Sequence, residues 1–231
     1  GAAPAKAAPL ASLDGLCNNL ASKLRSVPAG ECKSAGLNVA NSASVSGQPI
    51  LWRDYRAVKS KTPAKRVLLV GGIHGDELSS VAVTFEWMRR LADQERQPFY
   101  WRVIPCLNPD GVLASVPKRV NGRGVDLNRN FPTPDWNAKA TLYWRNKTKS
   151  DPRRFPGPKA GSEPETRWLI EQIKSFKPDA IVSIHAPYGV LDFDGPRTPP
   201  KRLGFLNLNE LGTYPGSLGN YAGEFLGIPI I

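Results

Sequence analysis

Histidine is almost absent from this chain: 231 residues contain two, His74 and His185. A metal held through imidazole must therefore use these two. Long apolar runs are missing as well. Nothing approaches the ~18 consecutive apolar residues that a helical membrane crossing requires, so no transmembrane segment is expected. No charged-then-apolar signal pattern opens the chain, and residues 1 to 9, rich in Ala and Pro, read as a flexible leader left after any signal peptide has gone. Acidic residues are the minority, 20 against 31 Lys and Arg, and the resulting formal charge of +11 favours anionic partners such as nucleic acid, anionic lipid or acidic cell-wall polymer. Because no helix-turn-helix, zinc-finger or stacked-aromatic signature accompanies the charge, nucleic acid is not an expected partner. Cysteine is scarce too, at three. Cys17 and Cys32 flank a short loop and could form one bridge, which would point to an oxidising compartment, while Cys106 lies in an apolar strand. Three reduced thiols in a cytosolic protein are the alternative.

With 41% hydrophobic residues, the chain can close a substantial single core. Leu13, Leu16, Leu20 and Leu24 recur at helical spacing, predicting a short helix over 12 to 26 that Pro28-Ala29-Gly30 stops. Strands are expected over 50 to 58 and 66 to 70, with a turn at Thr62-Pro63-Ala64 between them. Leu78, Val81, Phe85, Met88 and Leu91 mark one face of a helix over 77 to about 95, and a strand follows at 99 to 107. Leu169, Ile173 and Phe176 mark a second helix, opened by Ser162-Glu163-Pro164-Glu165 and followed by the strand 180 to 185. Strands alternating with helices predict an α/β domain with helices on both faces of a central sheet. Residues 1 to 45 are expected to form the leader and a short helical segment, and 46 to 231 the catalytic domain. Segments 131 to 160 and 186 to 222 read as long irregular loops of the kind that shape a cleft.

Both histidines close β-branched apolar runs: Val67-Leu68-Leu69-Val70-Gly71-Gly72-Ile73-His74 and Ala180-Ile181-Val182-Ser183-Ile184-His185. Side chains at such positions are presented at the carboxyl ends of strands, where open α/β sheets collect their ligands. Glu77, three residues after His74 across a turn at Gly75, adds a carboxylate. Two imidazoles and one carboxylate match the ligand set of a hydrolytic zinc ion with an open fourth position.

Three further motifs extend the pattern: Asn108-Pro109-Asp110-Gly111, Arg119-Val120-Asn121 and Gly124-Val125-Asp126-Leu127-Asn128-Arg129-Asn130. With His74-Gly75-Asp76-Glu77 and Ser183-Ile184-His185, and in this order, they resemble the M14 family of zinc carboxypeptidases over roughly residues 66 to 231. Within that family, Ser183 to Pro187, Glu163 to Arg167 and Tyr214 to Gly219 look most like the bacterial murein peptide amidases. The resemblance implies a single domain with a mixed central sheet. It implies that His74, Glu77 and His185 bind one zinc ion, with Asp126 accepting from the free ring nitrogen of His74. It makes Arg119 the cation that polarises the scissile carbonyl, and Asn128 and Arg129 the pair that holds a substrate carboxylate. The implied activity is hydrolysis, by metal-activated water, of the γ-D-glutamyl-meso-diaminopimelate amide in cell-wall peptides, in the periplasm or outside the cell, with the cytoplasm as the alternative. The expected partner is a peptide or muropeptide bearing a free carboxylate. The rival functions are a zinc carboxypeptidase or deacylase of other specificity, and a zinc-dependent muropeptide binder without catalysis. The family's general-base glutamate matches neither Glu210 nor Glu224 and is expected just after Ile231, which makes the domain C-terminally incomplete on this reading. Tyr214 and Tyr221 are candidates for the tyrosine that closes over substrate.

Overall fold

The computed structural model describes residues 12–59, 63–198, 202–203 and 206–231. The leader and Thr62 lie outside the described residues. The chain forms a five-stranded sheet of β1 (Asn38–Ala43), β2 (Pro49–Tyr55), β3 (Arg66–Val70), β4 (Tyr100–Ile104) and β5 (Ala180–Ser183), in the order β1-β2-β4-β3-β5. The outer pairings β1 with β2 and β2 with β4 are antiparallel, whereas β4 with β3 and β3 with β5 are parallel. Ile230 extends the sheet beyond β5: Ile181 N–H donates to Pro229 O at 2.8 Å and Ser183 N–H to Ile231 O at 2.7 Å.

Successive strand residues point to opposite faces, and the core divides accordingly. Ile50, Leu68, Val70 and Ile104 pack on one side, with Leu169, Ile173 and Phe176 of helix α6 (Pro164–Phe176). Leu51, Leu69 and Val103 pack on the other. There they meet Leu16 and Leu20 of α1 (Leu13–Lys23) and Val81, Phe85, Met88 and Leu91 of α3 (Leu78–Asp93). Each fully buried Leu or Phe contributes about 1.5 to 3 kcal/mol, so this two-sided burial holds the sheet in register. Helix boundaries follow local chemistry: Pro164 occupies the first turn of α6, where its missing N–H costs nothing, and Lys177 ends the helix in a left-handed conformation before Pro178.

A disulfide joins Cys17 in α1 to Cys32 in α2 (Ala29–Ser34), with the Cα atoms 5.5 Å apart. Cys106 is free and buried, and burial pushes its thiol up to about 12, leaving it an inert apolar group. Residue 46, the expected start of the catalytic domain, falls in the turn between β1 and β2.

One departure from the sequence pattern bears on the cleft. Beyond the short helix α4 (Pro109–Leu113), the first long loop contains a helix, α5 (Trp136–Lys147), which buries only Trp136 and Ala140 and so has almost no apolar stripe to read. The second long loop closes with a helix over Gly219–Phe225 wound with a wide turn.

Candidate metal centre

Every ligand candidate sits on backbone leaving the same edge of the sheet. His74 follows β3 by four residues and His185 follows β5 by two. Gly71, Gly72 and Ile73 carry the chain from β3 to His74, which is 2% exposed. Gly75 makes the next turn possible, since a Cβ there would collide with the backbone of Gly111 and the carbonyl of Lys118. Glu77 caps the start of α3 without using its side chain for the cap, so the carboxylate is free to face the histidines.

The donor atoms of His74, Glu77 and His185 all lie within 4.8 Å of one another. His74 Nδ1 is 2.9 Å from Glu77 Oε1, and His185 Nδ1 is 3.2 Å from Glu77 Oε2. The ring centroids are 5.0 Å apart. The far nitrogen of His74, Nε2, is 3.1 Å from Asp126 Oδ1, which assigns Nδ1 to the cluster. Two imidazole nitrogens and a carboxylate oxygen, converging at this spacing with one ring already held from behind, fit a zinc ion.

Asp126 is 0% exposed and tied to three groups: His74, Arg119 Nε at 2.9 Å, and the Asn128 N–H at 2.9 Å. Burial raises its pKa, but the charges of His74 and Arg119 outweigh that and hold the carboxyl well below its usual range. Burial likewise works against Glu77, and hydrogen bonds with His185 and His74 override it in the same direction. Arg119 is thereby fixed beside the cluster, with Nη1 3.8 Å from Glu77 Oε1. Its loop is held from below by Asn121, whose Nδ2 donates to Glu163 at 2.9 Å and to Glu165 at 3.1 Å.

Asn128 and Arg129 form a short 3-10 turn, Leu127–Arg129, capped by Asp126. The Asn128 side-chain oxygen accepts the Leu218 N–H at 2.8 Å, and its amide nitrogen donates to none of the described residues. Arg129 is 7% exposed, and its Nε has no acceptor among the described residues. Tyr214 lies against Arg129, with the ring centroid 4.2 Å from Cζ. Tyr221 is instead buried in the core, stacked on Phe131. Glu224 pairs with Arg197 at 3.2 Å.

Sequence reasoning missed Ser80. This buried serine accepts the Gly72 N–H at 2.9 Å and donates to Ile184 O at 2.5 Å, stapling the His74 loop to the residue before His185. Its signal was a polar side chain on the apolar face of α3, one turn before Thr84, which is also buried.

Comparison with known proteins bears on this geometry. Residues 35–195 match the family model described as zinc carboxypeptidase. Murein peptide amidase A of Escherichia coli K12 is 36% identical over 151 residues, covering 64% of this chain and 59% of that protein. Murein peptide amidase A of Vibrio campbellii is 34% identical over 188 residues, covering 78% and 72%. The match thus spans a little over half of the first relative and nearly three quarters of the second. Among solved structures, murein-tripeptide amidase MpaA from Escherichia coli O157 aligns with a TM-score of 0.57 at 28% identity, covering 82% of this chain and 78% of that one. Carboxypeptidase A from Helicoverpa armigera aligns with a TM-score of 0.61 at 18% identity, a likeness of fold.

Proposed function

We propose that this chain, which belongs to the zinc carboxypeptidase family, hydrolyses an amide bond in cell-wall peptides, between γ-D-glutamate and meso-diaminopimelate. The observation that carries this reading is the convergence of His74, Glu77 and His185 within 4.8 Å, with Arg119 held beside them by Asp126. One zinc ion would be held by those three residues. When bound, zinc supplies Lewis-acid activation of water and of the carbonyl.

The chain's own side chains supply orientation, charge stabilisation and substrate binding. Asp126 fixes the tautomer and orientation of His74 and holds Arg119 by its Nε, which leaves the outer guanidinium N–H groups to stabilise an oxyanion at the scissile carbonyl. Arg119 suits the task because guanidinium keeps its charge through the reaction. Arg129 and Asn128 receive a carboxylate of the substrate and fix its register in the cleft. A muropeptide carries several carboxylates, and the net charge of +11 favours its encounter with the protein. The Cys17–Cys32 bridge supports action in the periplasm or outside the cell.

The test is mass-spectrometric detection of free diaminopimelate after the zinc-loaded protein meets L-Ala-γ-D-Glu-meso-diaminopimelate, beside a chelated control. Release abolished by the chelator is the expected result. Tripeptide left intact by zinc-loaded protein that carries the expected general-base glutamate overturns the assignment of this bond.

A further inference from the structure

Arg129 is a buried cation that no carboxylate of the described residues touches, the charge of Asp126 reaching it only from farther off. The side chain is 7% exposed, Nη1 donates to the Asn128 carbonyl at 2.8 Å, and Nε has no acceptor among the described residues. A buried cation normally takes a carboxylate partner. Here an aromatic ring stands in that place, with the Tyr214 centroid 4.2 Å from Cζ.

The ring is placed by the backbone. Ser217 N–H donates to Tyr214 O at 3.0 Å, Tyr214 N–H donates to Ser217 Oγ at 3.3 Å, and Asn220 Nδ2 donates to Tyr214 O at 3.3 Å, closing a tight turn. That turn is clamped to the Arg129 segment: Phe131 N–H donates to Gly216 O at 2.9 Å, and Gly216 N–H donates to Thr133 Oγ1 at 3.1 Å. Gly216, at φ 80°, lies so close that a Cβ would run into the Arg129 carbonyl. Tyr143 of α5 then meets Tyr214 edge-on, with centroids 5.6 Å apart.

We propose that Tyr214 is a positioning residue for Arg129: its ring offsets the buried positive charge from the face of the guanidinium and leaves the N–H edge free for a substrate carboxylate. The chemistry distinguishes this from an ordinary ion pair. A protein carboxylate would bind the in-plane N–H groups and compete with the ligand, whereas a π face attracts the cation perpendicular to that plane and occupies no donor. The ring matters in this role, and the phenolic hydroxyl does not. The inference rests on the reading of Arg129 as the carboxylate receptor.

The experiment is a calorimetric titration of the zinc-free protein, so that no turnover intervenes, with L-Ala-γ-D-Glu-meso-diaminopimelate and with the same peptide bearing amidated diaminopimelate carboxylates. Tyr214→Phe is expected to bind the acid peptide as the wild type does. Tyr214→Leu is expected to bind it about tenfold more weakly, equivalent to about 1.4 kcal/mol, with affinity for the amidated peptide within about twofold of wild type in both variants. Unchanged binding in Tyr214→Leu overturns the proposal, as does an equal loss in Tyr214→Phe, which would assign the effect to the hydroxyl. A parallel loss for both peptides overturns it too, because a damaged fold produces that pattern. Failure of the Arg129 reading is distinguishable, since it shows in the wild type as equal affinity for acid and amide.

Discussion

Asp126 and Glu165 are both 0% exposed, yet burial has opposite consequences for them. Asp126 faces His74 and Arg119, and their charges override its desolvation, so it stays ionised far below the usual carboxylate range. Glu165, in the first turn of α6, accepts the Val45 N–H at 3.2 Å and Asn121 Nδ2 at 3.1 Å, and has Asp110 as a charged neighbour. Desolvation wins there and pushes it up to about 7. Depth alone does not decide whether a buried acid is charged. The cations around it do, and only the region around Asp126 has them at close range. One carboxylate orders a cluster of ligands and cations, while the other braces the loop beneath it through Asn121.

The sharpest way to break this contrast is to delete the charged member. Asp126→Ala should destabilise the metal-free protein by about 3 to 5 kcal/mol in urea unfolding, because His74 and Arg119 lose the charge that compensates them. Opening the Cys17–Cys32 loop with Cys17→Ser should cost about 3 kcal/mol through the unfolded chain's entropy. Zinc affinity should not change in that variant, which would separate global stability from the integrity of the site. Asp126→Asn keeps the shape and removes the charge. Competition with a chromogenic chelator should show zinc bound about 10 to 100-fold more weakly, and unaltered affinity would refute the role of Asp126 behind His74.

The effect that depends on pH belongs to Glu165. Its folded-state pKa of about 7 lies above the ordinary 4.5, so the folded form holds the proton more tightly than the unfolded form. The stability that follows is complete below about pH 4.5 and is lost as the pH rises to about 7. Glu165→Gln should therefore gain on the wild type in urea midpoint across that interval, with zinc affinity unchanged. A constant difference between the two proteins at every pH would show that folding does not raise the pKa of Glu165.

Much of this molecule was legible in particular residues. The leucines of α1, the stripe from Val81 to Leu91 and the stripe from Leu169 to Phe176 each announced a helix, because a helix packed on a sheet must present apolar side chains at that period. Helix α5 was not legible. It buries Trp136 and Ala140 and otherwise faces solvent, so its residues carry no period to read. The ligand candidates stood out because so few histidines were available and both ended apolar runs. Ser80 did not, since a serine among apolar residues is common and its two partners, Gly72 and Ile184, lie 8 and 104 residues away.

The sequence by itself determined the alternation of strands and helices and the positions of His74, Glu77, His185, Arg119, Asp126 and Arg129 along the chain, because local period, turn chemistry and motif spacing are properties of neighbouring residues. Only the tertiary structure decided that Glu77 meets both histidines, that Asp126 stands behind one of them, and that Tyr214 covers the face of Arg129. The contacts of Glu77 with His185, of Asp126 with His74 and of Tyr214 with Arg129 join segments tens of residues apart, and the first of them follows from the parallel pairing of β3 with β5, which brings two strand ends to one edge of the sheet.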